Sequence, residues 1–158
     1  MVTILLVHGP NLNMPGRRDS EHYGSKKLKE IEKLLEDEAR KADFDIKSFQ
    51  SNHEGALIDF LQKESGDAAG IIINPGAFAH YSYALHDALL DTGLPAVEVH
   101  LSDVNAREEW RKKSVIGPAC VGVISGKKEK GYTEALHILM DKIQGLQRMT
   151  TNNSGLHS

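Results

Sequence analysis

Glu98 and His100 stand two residues apart in the apolar run Pro95 to His100. Alternate side chains of a strand share one face, so here a carboxylate can orient an imidazole and raise its basicity, the wiring of a general acid or base. A second group of reactive side chains lies in His8 to Gly24, HGPNLNMPGRRDSEHYG. Its Gly, Pro and Asn residues forbid a regular helix, while Arg17, Arg18 and Tyr23 are longer side chains than a turn requires. A phenol of ordinary pKa, about 10, is only roughly one-thousandth phenolate at neutral pH. A permanently charged guanidinium such as Arg18 would enlarge that fraction and make Tyr23 a candidate base. The third group follows two other apolar runs: Asn74-Pro75-Gly76 with His80, and Leu101-Ser102 with Arg107 and Arg111. Each has a plainer reading. Asn74 can shape a turn, Tyr23 can pack its ring in a loop, and Arg107 and Arg111, four apart beside Glu108 and Glu109, suit a charged surface helix.

These groups need elements to bring them together. Strand-like runs recur at Val2 to Val7, Asp45 to Gln50, Ala69 to Ile73, Pro95 to His100 and Ala119 to Ile124. Between them, helical spacing of apolar residues predicts helices over about Ser25 to Ala42 with Ser25 as N-cap, Glu54 to Lys63, Tyr81 to Asp91 and Tyr132 to Leu146, with Gly66 and Gly93 as stops. The fourth crossover, Asn105 to Lys113, is short and highly charged. Such alternation implies an α/β fold, a three-layer sandwich around a five-stranded parallel sheet in the order 2-1-3-4-5. Ligands of these sheets bind beyond the carboxyl ends of the strands where the order reverses, here between strands one and three. The reactive groups all fall at that edge.

Length and composition narrow the possible partners. At 158 residues the chain fits one domain, taken here as 1–147 with a polar, frayed tail at 148–158. A net charge of −3 carries no electrostatic footprint for nucleic acid. The lone Cys120 lies in an apolar run and reads as an inert thiol. Met1 leads straight into strand-like sequence with no basic n-region, and no apolar run is long enough for a membrane span, so the cytoplasm is the expected compartment and a small molecule the expected partner.

The residues together resemble the type II 3-dehydroquinate dehydratases from about Ile4 to Leu146. The resemblance rests on Gly9-Pro10-Asn11-Leu12-Asn13 with Gly16, Arg18 and Tyr23-Gly24, and on Ser51-Asn52-His53-Glu54-Gly55. It continues through Ile73-Asn74-Pro75-Gly76-Ala77 with His80, then Glu98-Val99-His100-Leu101-Ser102 with Ala106-Arg107-Glu108-Glu109 and Arg111. It implies a flavodoxin-like subunit, assembled as a dodecamer of trimers, that converts 3-dehydroquinate reversibly to 3-dehydroshikimate with neither metal nor organic cofactor. In that scheme Tyr23, helped by Arg18, takes a proton beside the ketone, and a water positioned by Asn11 holds the enolate. His100, oriented by Glu98, protonates the departing hydroxyl. Asn74, His80, Ser102 and Arg111 bind the substrate with the backbone at Leu101 and Ser102, and Asp87 comes from a neighbouring subunit. The loop from His8 to Gly24 then becomes a lid, with Asn11 at its root. Departures from the family pattern fall at Met14-Pro15, Asp19-Ser20, His86, Asp103 and the charged loop Gly126 to Gly131, none on the acid or the base. Two other readings use the same fold: a module that senses a ligand without turnover, and a flavin protein. The first loop lacks the Ser/Thr-rich phosphate cradle that a flavin protein would want.

Overall fold

A computed structural model describes residues 1–14 and 27–155. The apolar runs become five parallel strands: β1 (Val2–His8), β2 (Phe44–Gln50), β3 (Gly70–Asn74), β4 (Ala96–His100) and β5 (Gly122–Ser125). Their order is β2-β1-β3-β4-β5, as the sequence pattern predicts. The helices are α1 (Leu28–Arg40), α2 (Glu54–Glu64), α3 (Tyr83–Thr92) and α4 (Lys130–Ser154).

Alternation along the strands divides the core into two layers. Ile4, Leu6, Ile72, Val97 and Val99 pack against Ile31 and Leu35 of α1 and Ala135, Leu136 and Leu139 of α4. Leu5, Val7, Ile71 and Ile73 pack the other way, against Leu57 and Leu61 of α2 and Leu85 and Leu89 of α3. The same parity orders the polar strand ends. His8 and Asn74, in step with Leu6 and Ile72, belong to the α1/α4 face. Glu98 and His100, out of step with Val97 and Val99, belong to the α2/α3 face.

Several predicted boundaries shift, each for a local reason. Helix α1 begins at Leu28 with Lys27 in the N-cap position and no side-chain cap from Lys27; the expected cap at Ser25 lies outside the described residues. Ser82 caps α3, its hydroxyl accepting from the Leu85 amide, and Gly93 ends that helix at φ 67°. Gly66 instead falls inside a 3₁₀ turn after α2. The charged crossover is not a regular helix. It forms 3₁₀ turns at Val104–Ala106 and Glu109–Arg111, separated by extended backbone at Arg107 and at Glu108 with ψ 148°. Helix α4 runs on to Ser154, through most of the stretch assigned to a frayed tail. Nothing there breaks it, and Thr150 and Thr151 donate their hydroxyls to the carbonyls of Leu146 and Gln147, one turn back.

Candidate active site

A cleft opens beyond the carboxyl ends of β1, β3 and β4, lined by Asn11, Asn74, His80, His100, Ser102 and Arg111 together with Arg107 and the backbone around Gly76 and Leu101. Its space, counted out into the solvent at its open mouth, is about 580 Å³. Six side chains named from the sequence therefore meet in one place. Arg18 and Tyr23 lie outside the described residues. Asp87 lies elsewhere, exposed on α3, its Oδ1 3.0 Å from His86 Nδ1.

Glu98 and His100 form the firmest part. Glu98 Oε2 lies 2.6 Å from His100 Nε2, and Oε1 accepts the Ser114 hydroxyl at 2.7 Å. Ser114 is itself fixed, its Oγ accepting the backbone N–H groups of Ile116 and Gly117. With both carboxylate oxygens occupied as acceptors, the imidazole must donate from Nε2. Nδ1 is then the nitrogen through which the ring can exchange a proton. Glu98 is fully buried and His100 nearly so; burial of this kind holds the geometry at low entropic cost during turnover. Ser114, sixteen residues beyond Glu98, has no signal in the sequence.

His80 backs the other side of the His100 ring, the two stacked with centroids 6.3 Å apart. Its Nδ1 donates to the Lys113 carbonyl at 2.7 Å, which orients Nε2 as the ring's acceptor. Trp110 meets His80 edge-on at 5.3 Å, and the Arg111 guanidinium lies 4.0 Å over the Trp110 ring. A stacked cation of this kind is worth about 0.5–1 kcal/mol at an exposed site. Arg111 also donates Nε–H to Glu108, and that bond holds the Glu108 carboxyl below the usual carboxylate range. Arg107 reaches Ser102 Oγ at 3.4 Å. Trp110 is the aromatic that the motif reading passed over.

The backbone completes the walls. The Leu101 and Ser102 carbonyls accept N–H groups from Lys128 and Gly126. Because the peptide bonds of the described residues are all trans, the N–H of Ser102 faces away from that turn. Asn11 sits at φ 69°, in the left-handed region that asparagine tolerates better than most residues. Its N–H donates to Asn52 Oδ1 at 2.9 Å, and Gln50 Nε2 ties Asn52 to the Gly9 carbonyl. Gly9 donates to the Asn74 carbonyl at 2.7 Å, and a Cβ at Gly9 would stand 2.4 Å from the Pro75 carbonyl oxygen. The root of the first loop is thus held between the ends of β2 and β3.

Cys120 is not among the residues that line the cleft. Desolvation first, and the charge of Glu98 second, push its thiol up to about 12, in keeping with an inert residue.

Known proteins share both the sequence and the fold. The model for the family described as Dehydroquinase class II matches residues 2–140. The 3-dehydroquinate dehydratase of Roseiflexus castenholzii is 53% identical over 137 residues, covering 87% of each chain. A relative in Agrobacterium fabrum, 3-dehydroquinate dehydratase 1, is 48% identical over 136 residues, 86% of this chain and 94% of that one. Among solved structures, the type II dehydroquinase of Butyrivibrio crossotus superposes with a TM-score of 0.84 at 41% identity, covering 87% of this chain and 97% of that one. That of Propionibacterium acnes gives 0.85 at 34% identity, covering 89% and 97%. With fold and sequence in agreement over nearly nine-tenths of its length, the chain belongs to the class II dehydroquinase family.

Proposed function

We propose that this chain dehydrates 3-dehydroquinate to 3-dehydroshikimate through an enolate. The observation that carries the reading is the chain Ser114–Glu98–His100, buried at its rear and open to the cleft at the imidazole. A hydrogen beside a ketone is weakly acidic and hydroxide is a poor leaving group, so the elimination needs a strong base, an oxyanion stabiliser and a separate acid. Tyr23, with Arg18 five residues upstream in the same loop of the sequence, takes the role of base. Asn11, held at its strained φ by Asn52, positions the water that stabilises the enolate oxygen. His100 then donates its proton to the departing hydroxyl, and Glu98 stabilises the imidazolium state that precedes the transfer. Asn74, His80, Ser102 and Arg111 bind the carboxylate and ring hydroxyls with the backbone at Leu101 and Ser102. Their polarity suits a substrate with many oxygens, since each unpaired buried group costs about 1–3 kcal/mol and so penalises analogues.

Asp87 completes the site from a neighbouring copy, and the chain assembles as a dodecamer built from trimers in the cytoplasm. Support for assembly comes from the apolar side chains left in water near Asp87, Tyr81 and Tyr83 at 60% and 62% exposed, and from Val121 and Val123 at the β5 edge, each 50% exposed. No helix among the described residues is long and apolar enough to cross a membrane.

The purified chain given 3-dehydroquinate should generate the ultraviolet absorbance of a conjugated enone carboxylate. Absence of that signal at high enzyme concentration overturns the function. Tyr23→Phe should lower kcat by roughly a hundredfold or more, as loss of a general base does. A variant within about threefold of the parent would remove Tyr23 from that role. Light scattering on the same sample reads the assembly.

A further inference from the structure

Asn74 ends β3 almost wholly buried, and both ends of its side-chain amide are engaged. Oδ1 accepts the Gly76 backbone N–H at 3.1 Å, and Nδ2 donates to the Tyr132 hydroxyl at 3.1 Å. The two partners differ in kind. A backbone N–H can only donate, so the amide must turn its oxygen toward Gly76, whereas a phenol accepts or donates and takes whichever end remains. Gly76 therefore decides the polarity of the amide. Gly76 is itself held in place, at φ 59° with the Pro10 carbonyl oxygen 3.1 Å from where a Cβ would stand. Tyr132 then removes the remaining rotational freedom. Of the two hydrogens on Nδ2 the phenol takes one, which leaves one on a residue that lines the cleft.

Tyr132 is a rigid post for this purpose. It lies in the first turn of α4, 1% exposed, with the His8 ring tilted against it at 6.2 Å between centroids. Desolvation pushes its phenol up to about 12, only partly offset by the Asn74 hydrogen bond. The hydroxyl is therefore neutral, and able to accept, throughout the working range of pH.

We propose that Tyr132 is a positioning residue that, together with the Gly76 amide, locks Asn74 so that an N–H donor faces the cleft and selects an acceptor oxygen on the substrate. The proposal rests on the reading of Asn74 as a ligand of 3-dehydroquinate. It assigns no chemical step to Tyr132, which touches the substrate only through Asn74.

Tyr132→Phe keeps the ring and deletes the acceptor. KM for 3-dehydroquinate should rise about tenfold with kcat within about threefold, the pattern of lost binding rather than lost chemistry. Asn74→Ala should raise KM at least as far, and adding Tyr132→Phe to it should change KM by less than about twofold, because the route through Asn74 is already gone. A folded Tyr132→Phe enzyme with KM within twofold of the parent overturns the proposal. So does an equal loss in both backgrounds, which would make Tyr132 a support of the fold alone. If Asn74→Ala leaves KM unchanged, the reading of Asn74 fails and the proposal falls with it. Should Tyr132→Phe not fold, Asn74→Asp supplies the test. Its carboxylate still serves Gly76, and Tyr132 can turn its O–H to the second oxygen, but the cleft loses its donor. KM should then rise more than tenfold at a thermal midpoint near the parent's, and a parental KM overturns the proposal.

Discussion

The sheet carries a histidine–glutamate pair on each of its faces, and the two are built differently. On the α2/α3 face Glu98 and His100 share one strand, meet at 2.6 Å and reach the cleft. On the α1/α4 face His8 ends β1 and meets Glu32 of α1 with Nε2 3.5 Å from Oε1. That contact does not make a hydrogen bond, and both His8 ring nitrogens are buried without a hydrogen-bond partner among the described residues. Contact with His8, opposed by burial and aided by Lys29, still holds the Glu32 carboxyl below the usual carboxylate range. Adjacency of a carboxylate and an imidazole is therefore not enough for proton transfer. What separates the pairs is a direct bond, a second anchor on the carboxylate from Ser114, and an opening for the other ring nitrogen.

The comparison breaks most visibly if Glu98→Gln is active. Loss of the acceptor charge behind His100 should lower kcat by about a hundredfold in the ultraviolet assay, within the span for acid–base groups, while the thermal midpoint stays close to the parent's. Retention of activity within threefold would make the Glu98 pair as structural as the Glu32 pair. Ser114→Ala should come next, lowering kcat about tenfold, since a hydrogen bond to a charged group is worth about 1.5–3 kcal/mol. Turnover equal to the parent's would show that Glu98 needs no second anchor.

Glu32→Gln should do the reverse of Glu98→Gln, leaving kcat within about twofold and lowering stability at neutral pH by roughly 1 kcal/mol, as for a modest ion pair. The pH dependence fixes the sign. A carboxyl whose folded pKa is depressed stabilises the fold above its unfolded pKa, about 4.3, and loses that contribution as pH falls through the folded value. Denaturant midpoints of parent and variant should therefore converge below about pH 4. A constant gap down to acid would detach the effect of Glu32 from the charge of its own carboxylate. The smallest effect belongs to Glu108→Gln, which removes an exposed partner of Arg111. KM should change by less than about threefold, and raised salt should erase the difference. A larger, salt-insensitive change would place Glu108 inside the binding set.

The sheet order is legible in the sequence because five apolar runs separated by helical periodicity leave few parallel arrangements. The Glu98–His100 contact is legible because a spacing of two on a strand admits one geometry. Contacts across the fold are not. Ser114 reaches Glu98 from a crossover whose charges suggest a helix, and the 3₁₀ turns that deliver it depend on extended backbone at Arg107 and Glu108. Tyr132 occupies an ordinary place in the apolar stripe of α4, and only the register of β3 against that helix, 58 residues away, brings Asn74 to it. Asn11 is nameable from its motif, but its left-handed backbone and its tie to Asn52 are tertiary facts.

Gly9 meets the Pro75 carbonyl so closely that no atom fits where a side chain would begin. What is inherited at this position is an empty volume. Any single-base change that puts another residue in place of glycine adds at least a Cβ, so the codon has no neutral missense neighbour here. A population carrying this protein should therefore show synonymous drift at codon 9 and almost nothing else, with the close approach of the first loop's root to the end of β3 as the trait under selection.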